Sequence, residues 1–165
     1  LYSLPFEDNV NGGIPITFLN VPIEYLKDAA IKQLKDGESV WFGNDVLKEM
    51  DRKTGYLDTE LYKTDELFDV DTYMTKAERL ATGEGEVSHA MTLVGVDLDK
   101  GEIRKWKVEN SWSEKSGRKG YFTMSDKWFD EFVYEVVVRK EFLTEDQKKL
   151  AESKPTPLPA WDSLA

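Results

Sequence analysis

Residues 88–112 read Ser88-His89-Ala90-Met91-Thr92-Leu93-Val94-Gly95-Val96-Asp97, then Leu98-Asp99-Lys100-Gly101, then Glu102-Ile103-Arg104-Lys105-Trp106-Lys107-Val108-Glu109-Asn110-Ser111-Trp112. An apolar run, the turn segment Asp99-Lys100-Gly101 and an alternating segment spell a β-hairpin. In its second arm Arg104, Trp106, Val108 and Asn110 share one face. Ile103, Lys105, Lys107 and Glu109 share the other, because side chains alternate along a strand. A turn centred on Asp99-Lys100 places His89, the chain's one histidine, directly across from Asn110. Cross-strand Cβ atoms lie ~4.5–5.5 Å apart, within reach of an imidazole–carboxamide hydrogen bond. Ser111 and Trp112 follow at once, so the indole can cover the pair and keep water away. A histidine acting as a base needs its tautomer and ring plane fixed by a third group, and an Asn carboxamide oxygen can do that. A lone histidine in an apolar strand is also commonly a core residue with a satisfied partner, so the pairing alone leaves both interpretations open.

Composition narrows the choice. The chain has 165 residues, 40% hydrophobic and 33% charged, with five Trp, seven Tyr and eight Phe. That suits one domain with a sizeable core and argues against wholesale disorder. No run approaches the ~20 apolar residues of a membrane span. Lys+Arg 22 against Asp+Glu 32 leaves a net charge of −10, the wrong sign for a phosphate backbone. Zero cysteines exclude a disulfide, a thiolate metal site or a thiol nucleophile within this chain, and one histidine disfavours a His-based metal centre. Asp97-Leu98-Asp99-Lys100-Gly101-Glu102 misplaces the glycine of a calcium loop and reads as a solvated turn. No cofactor or metal is expected. The chain begins at Leu1 rather than Met, which suggests a piece of something longer.

Along the rest of the chain, residues 1–19 read as extended segments and loops around Asn11-Gly12-Gly13. Residues 21–36 form the clearest helix, with Asn20 as N-cap, Ile23, Leu26, Ala30 and Leu34 at helical spacing, and Gly37 as the stop. Ser39–Gly43 is a short strand covered on both faces, and Trp41, Trp106 and Trp128 are expected in the core. Residues 44–73 carry no clear pattern, and the acids at 65–71 read as an exposed loop face. Thr75-Lys76-Ala77-Glu78 and Thr144-Glu145-Asp146-Gln147 are capping boxes that open helices. Residues 120–124 and 133–139 are strands joined by a short helix begun at Ser125. The tail from Lys154 carries Pro155, Pro157 and Pro159 and reads as extended, without regular structure.

Ser88-His89-Ala90-Met91, Trp106-Lys107-Val108-Glu109-Asn110-Ser111-Trp112 and Gly120-Tyr121-Phe122 resemble the papain-like cysteine peptidases. The segments 37–43, 75–80, 125–128, 134–138 and Leu158-Pro159-Ala160-Trp161-Asp162 resemble one branch of that clan, the bleomycin hydrolase / aminopeptidase C family. The resemblance covers nearly the whole chain but only the C-terminal part of the longer family members. It implies an α+β fold, the β-rich half of a papain-like peptidase: an antiparallel sheet or partial barrel with flanking helices. Residues 1–153 would be that half and residues 154–165 an extended C-terminal arm.

The resemblance further implies a cytoplasmic thiol aminopeptidase that hydrolyses N-terminal residues from peptides. His89 would be the general base and acid, Asn110 would orient it, and Trp112 would shield their hydrogen bond. The nucleophilic Cys and the oxyanion-hole Gln would lie in the missing N-terminal part. Family members form hexameric barrels, and the carboxylate of the terminal residue, here Ala165, would meet the substrate's ammonium. Three departures stand out. Ser113 occupies the place of a family glycine after Asn-Ser-Trp. Asn44 stands where the family often has a non-nucleophilic Cys. The tail after Trp161-Asp162 is shorter, ending Ser163-Leu164-Ala165. The rival expectation is a non-catalytic β module that binds peptides or partner subunits and lacks a nucleophile.

Overall fold

Alternation decides the sheet. In the computed structural model, which describes residues 1–162, Trp106 and Val108 are buried while Lys105, Lys107 and Glu109 are exposed, as a period of two requires. The elements run β1 (Tyr2–Ser3), β2 (Thr17–Phe18), α1 (Ile23–Lys35), β3 (Val40–Asn44), β4 (Met50–Asp51), β5 (Tyr56–Leu57), α2 (Thr64–Phe68), α3 (Lys76–Thr82), β6 (His89–Asp99), β7 (Glu102–Glu109), β8 (Tyr121–Ser125), α4 (Asp126–Phe132), β9 (Val133–Val137), α5 (Glu145–Ala151) and β10 (Thr156–Pro157). Seven strands form one sheet in the order β4-β5-β8-β7-β6-β3-β9, antiparallel throughout except for β5 beside β8. A small second sheet has the order β10-β1-β2. The expected α+β class and antiparallel sheet with flanking helices are what the structure has.

The central hairpin differs from the sequence expectation in its register. Asp99 pairs with Glu102, so the turn residues are Lys100 and Gly101, with φ of 53° and 93°. Two successive positive φ values match the twist of a tight hairpin, and the Gly at the second position adopts one at little cost. Irregularities at Leu93/Gly95 and Asp97/Leu98 then shift the ladder, which ends with Thr92 opposite Glu109. Continued past that point, the ladder would put Asn110 opposite Met91. His89 lies two residues further along, on the same face of β6.

The core lies on that face. Phe42, Leu93, Trp106, Val108, Phe122, Met124, Trp128 and Phe129 are all buried within it. Trp106 stacks on Phe129 with ring centroids 4.9 Å apart. Each buried indole places its N–H: Trp106 Nε1 donates to Asp126 Oδ1 at 3.1 Å, and Trp128 Nε1 donates to the Lys48 carbonyl at 2.9 Å. Helix α1 packs against β3, β6 and β9. Its Lys27, nearly buried, joins α1 to α4 through Asp126 Oδ2 at 2.8 Å and Asp130 Oδ1 at 2.6 Å.

Four local expectations change. Asn20 does not cap α1; Pro22 occupies the N-cap without a side-chain bond, and its fixed φ suits the helix entry. Trp41 is 43% exposed, because it points away from the face that Val40, Phe42 and Asn44 bury. The stretch 44–73 contains β4, β5 and α2, elements too short to show a period. The proline-rich tail does pair: Thr156–Pro157 lies parallel to Tyr2–Ser3, and the Leu158 amide donates to the Ser3 carbonyl at 2.9 Å. Both capping boxes, at Thr75 and Thr144, form as the sequence indicates.

Candidate active site

Three strands converge on His89. It opens β6, where it pairs with Asn44 at the end of β3. The Asn44 side chain, 0% exposed, donates from Nδ2 to the His89 carbonyl at 3.1 Å. The preceding amide, of Ser88, donates to the Asn44 carbonyl at 3.1 Å. Ser88 Oγ reaches Asp45 Oδ1 at 3.3 Å, and burial pushes that carboxyl above its ordinary value despite an opposing bond from the Glu86 amide. The backbone entering His89 is thus held from both its amide and its carbonyl side.

Asn110 follows the last residue of β7, and its amide donates to the Gly120 carbonyl at 3.0 Å. It is 8% exposed. Its Oδ1 accepts from the Ser111 amide at 2.7 Å and meets His89 Nε2 at 2.9 Å. The Ser111 contact settles which end of the carboxamide is which, because a backbone N–H can only donate. Asn110 Oδ1 is therefore an acceptor, so His89 Nε2 carries the hydrogen. In the neutral imidazole the remaining nitrogen, Nδ1, is then the basic one. Trp112 stacks on the imidazole with ring centroids 5.0 Å apart and planes 29° from parallel. Phe122 braces the indole edge-on at 6.1 Å.

The structure brings together His89, Asn110 and Trp112. Ala165, the other residue singled out from the sequence, lies outside the described residues. The concave surface lined by Glu49, Asp65, Arg79, Asp130 and Glu131 lies at α2, α3 and α4 and does not include the three. Among the described residues no group of three or more His, Cys, Asp or Glu side chains could hold a metal ion.

Comparison with known proteins bears on the family and the fold. The sequence model of the Peptidase C1-like family matches residues 1–165. The chain belongs to the Peptidase C1-like family. Aminopeptidase G of Lactobacillus delbrueckii subsp. lactis is 70% identical over 165 residues, covering 100% of this chain and 38% of the relative. Aminopeptidase E of Lactobacillus helveticus is 70% identical over the same span, again 38% of the relative. The chain therefore spans well under half the length of these curated relatives. The crystal structure of PepW from Lactobacillus rhamnosis HN001 (DR20) superposes with a TM-score of 0.94 at 54% identity, over 99% of this chain and 37% of that one. The fold expected from the resemblance is thus shared with the corresponding part of the PepW structure.

Two residues singled out in the sequence have a defined place in the structure. Ser113 has φ of 71°, the left-handed region where glycine is at ease and other residues are strained. Asn44 supplies a side-chain bond to the His89 carbonyl. A third feature, Arg52, lies in the stretch without a pattern, where no periodicity or motif signals it, and its guanidinium carbon sits 4.8 Å from the centroid of the Trp112 ring.

Proposed function

We propose that this chain is the C-terminal part of a thiol aminopeptidase and supplies the base and its orienting partner. The observation that carries this is the 2.9 Å contact of His89 Nε2 with Asn110 Oδ1, which fixes the tautomer that leaves Nδ1 basic. The relatives named as aminopeptidases support the reaction class. The chain has no cysteine, so the nucleophile must come from the part of the longer protein that this chain does not contain, along with the Gln expected at the oxyanion hole.

The reaction then runs in two halves. His89 Nδ1 takes the thiol proton, giving a thiolate–imidazolium pair, and Asn110 holds the imidazolium through its oxygen. The thiolate attacks the scissile carbonyl, the tetrahedral intermediate collapses, and the imidazolium protonates the leaving amine. Water, deprotonated by the same nitrogen, next attacks the thioester and releases the acid and the thiol. Trp112, stacked on the ring, limits water around the His89–Asn110 bond, where a low local dielectric strengthens it.

Residues 154–165 are assigned as an arm whose terminal carboxylate, on Ala165, attracts the substrate's ammonium and confines cleavage to peptide N-termini. A homohexamer in the cytoplasm is the assembly and location that the resemblance supports, and among the described residues no helix is long and apolar enough to cross a membrane. The test is hydrolysis of short peptides by the intact protein, with thiol alkylation read by intact mass. Turnover abolished by one equivalent of alkylating reagent and by His89→Ala supports the assignment. Turnover retained in His89→Ala overturns it, and an intact protein without an alkylatable thiol would mean a non-catalytic binding module.

A further inference from the structure

Trp112 is only partly buried, so stacking on His89 does not by itself explain why the indole stays in place. Phe122 braces one edge. The remaining support comes from the turn between β4 and β5. Arg52 places its guanidinium carbon 4.8 Å from the centroid of the Trp112 ring. Its Nε donates to Ser116 Oγ at 3.3 Å, and Ser116 Oγ donates to the Trp112 carbonyl at 3.1 Å. The Gly117 amide donates to the Arg52 carbonyl at 2.9 Å. One residue therefore grips both the ring and, through the buried Ser116, the backbone of Trp112.

The two loops also approach too closely for side chains between them. A Cβ on Gly55 would stand 2.8 Å from the Gly117 Cα, and Gly55 has φ of 79°. The Thr123 amide donates to the Gly55 carbonyl at 2.7 Å, which ties the same turn to β8. The Arg52 turn is thus fixed against the loop that carries Trp112.

We propose that Arg52 is a positioning residue for the peptidase reaction: it clamps Trp112 over the His89–Asn110 pair. This rests on the assignment of His89 and Asn110 as the base and its partner. Arg52 acts through the indole, and the structure shows no direct contact of Arg52 with His89 or Asn110. The planar guanidinium suits the task because it can lie over the ring while its Nε donates sideways to Ser116, a combination an ammonium does not offer. Released from the clamp, the indole would leave the His89–Asn110 bond open to water, which competes for Asn110 Oδ1.

The test is a double-mutant cycle in the intact protein: Arg52→Ala, Trp112→Ala and the pair, with Arg52→Lys and His89→Ala alongside. A cation–π contact at an exposed site is worth ~0.5–1 kcal/mol, which corresponds to a roughly two- to fivefold fall in kcat. Arg52→Ala should show that fall with KM unchanged, and Arg52→Lys should recover only part of it. In the Trp112→Ala background the same substitution should change kcat by less than about a third of its effect alone, because the ring it acts on is gone. Equal losses in both backgrounds, or no loss in either, would overturn the proposal. The melting temperature of Arg52→Ala should stay near that of the parent protein; a fall in kcat that tracked a fall in melting temperature in both backgrounds would also overturn it. His89→Ala separates the two levels of inference. If it keeps its turnover, the underlying assignment fails. If it is inactive while Arg52→Ala is unaffected, only the clamp fails.

Discussion

Replacing Asn110 by Ala isolates what orientation of the base contributes. The substitution removes the 2.9 Å contact with His89 Nε2 and leaves the Ser111 amide without its 2.7 Å acceptor. The base itself remains, and Trp112 still has the imidazole to stack on. A hydrogen bond between neutral groups contributes ~0.5–1.5 kcal/mol, and one to a charged group ~1.5–3 kcal/mol. In the thiolate–imidazolium state the ring is charged, so the upper range applies to the reacting enzyme. At ~1.4 kcal/mol per tenfold in rate, kcat/KM should fall roughly ten- to a hundredfold. Steady-state hydrolysis of a short peptide by the intact protein measures this, with His89→Ala as the floor. Asn110→Asp keeps an acceptor at the same place and should retain more activity than Asn110→Ala. If Asn110→Ala stays within twofold of the parent enzyme while His89→Ala is inactive, Asn110 does not orient the base. The contact would then be a buried polar group finding a partner.

The strained Ser113, with φ of 71°, should be relieved by Ser113→Gly; glycine's greater chain entropy offsets part of the gain, so urea denaturation should show a stabilisation of up to about 1 kcal/mol. Lys27→Met leaves Asp126 and Asp130 without their shared cation, and since both carboxylates are partly solvated the loss should be ~1–3 kcal/mol in the same assay, below the range for fully buried pairs. Lys76 donates to the Val133 carbonyl at 2.7 Å, and burial pushes its ammonium down to about 8 from 10.5. Above pH 8 the unfolded chain therefore holds more protons than the folded one, so this residue's contribution to stability rises with pH from about 8 toward 10.5. Lys76→Met should flatten that part of the pH–stability curve, and an unchanged slope would show that Lys76 titrates as it does in the unfolded chain.

The face that carries the site was easier to read from the sequence than the partners across it. Trp106, Val108 and Asn110 alternate with charged residues, and that pattern fixes which side of β7 is buried whatever the loop does. The opposing residue is a separate matter, because it depends on the turn and on every bulge between turn and site. The expected turn sat one residue too early, which displaces the pairing by two, and the bulges near Gly95 and Leu98 are further changes that no periodicity announces. Short elements were illegible for a related reason: β4 and β5 have two residues each, less than one repeat of any pattern, and Arg52 lies between them.

Why His89 and Asn110 nevertheless meet follows from the period of a strand. A displacement of one residue would have turned His89 to the opposite face and out of reach of Asn110. A displacement of two keeps the face and turns a directly opposed pair into a diagonal one. Diagonal neighbours lie ~7–8 Å apart, still within reach of an imidazole and a carboxamide that extend toward each other. The ladder has also ended by this point. β6 at His89 is held by β3 through Asn44, while Asn110 is held from the β8 side through Gly120. The two side chains therefore bridge a place where their own strands have parted, and each is positioned by a different neighbour. Such a bond is set by the frame around it. Loosening either support, Asn44 behind His89 or the Gly120 carbonyl behind Asn110, should therefore weaken the pair even with both of its residues intact.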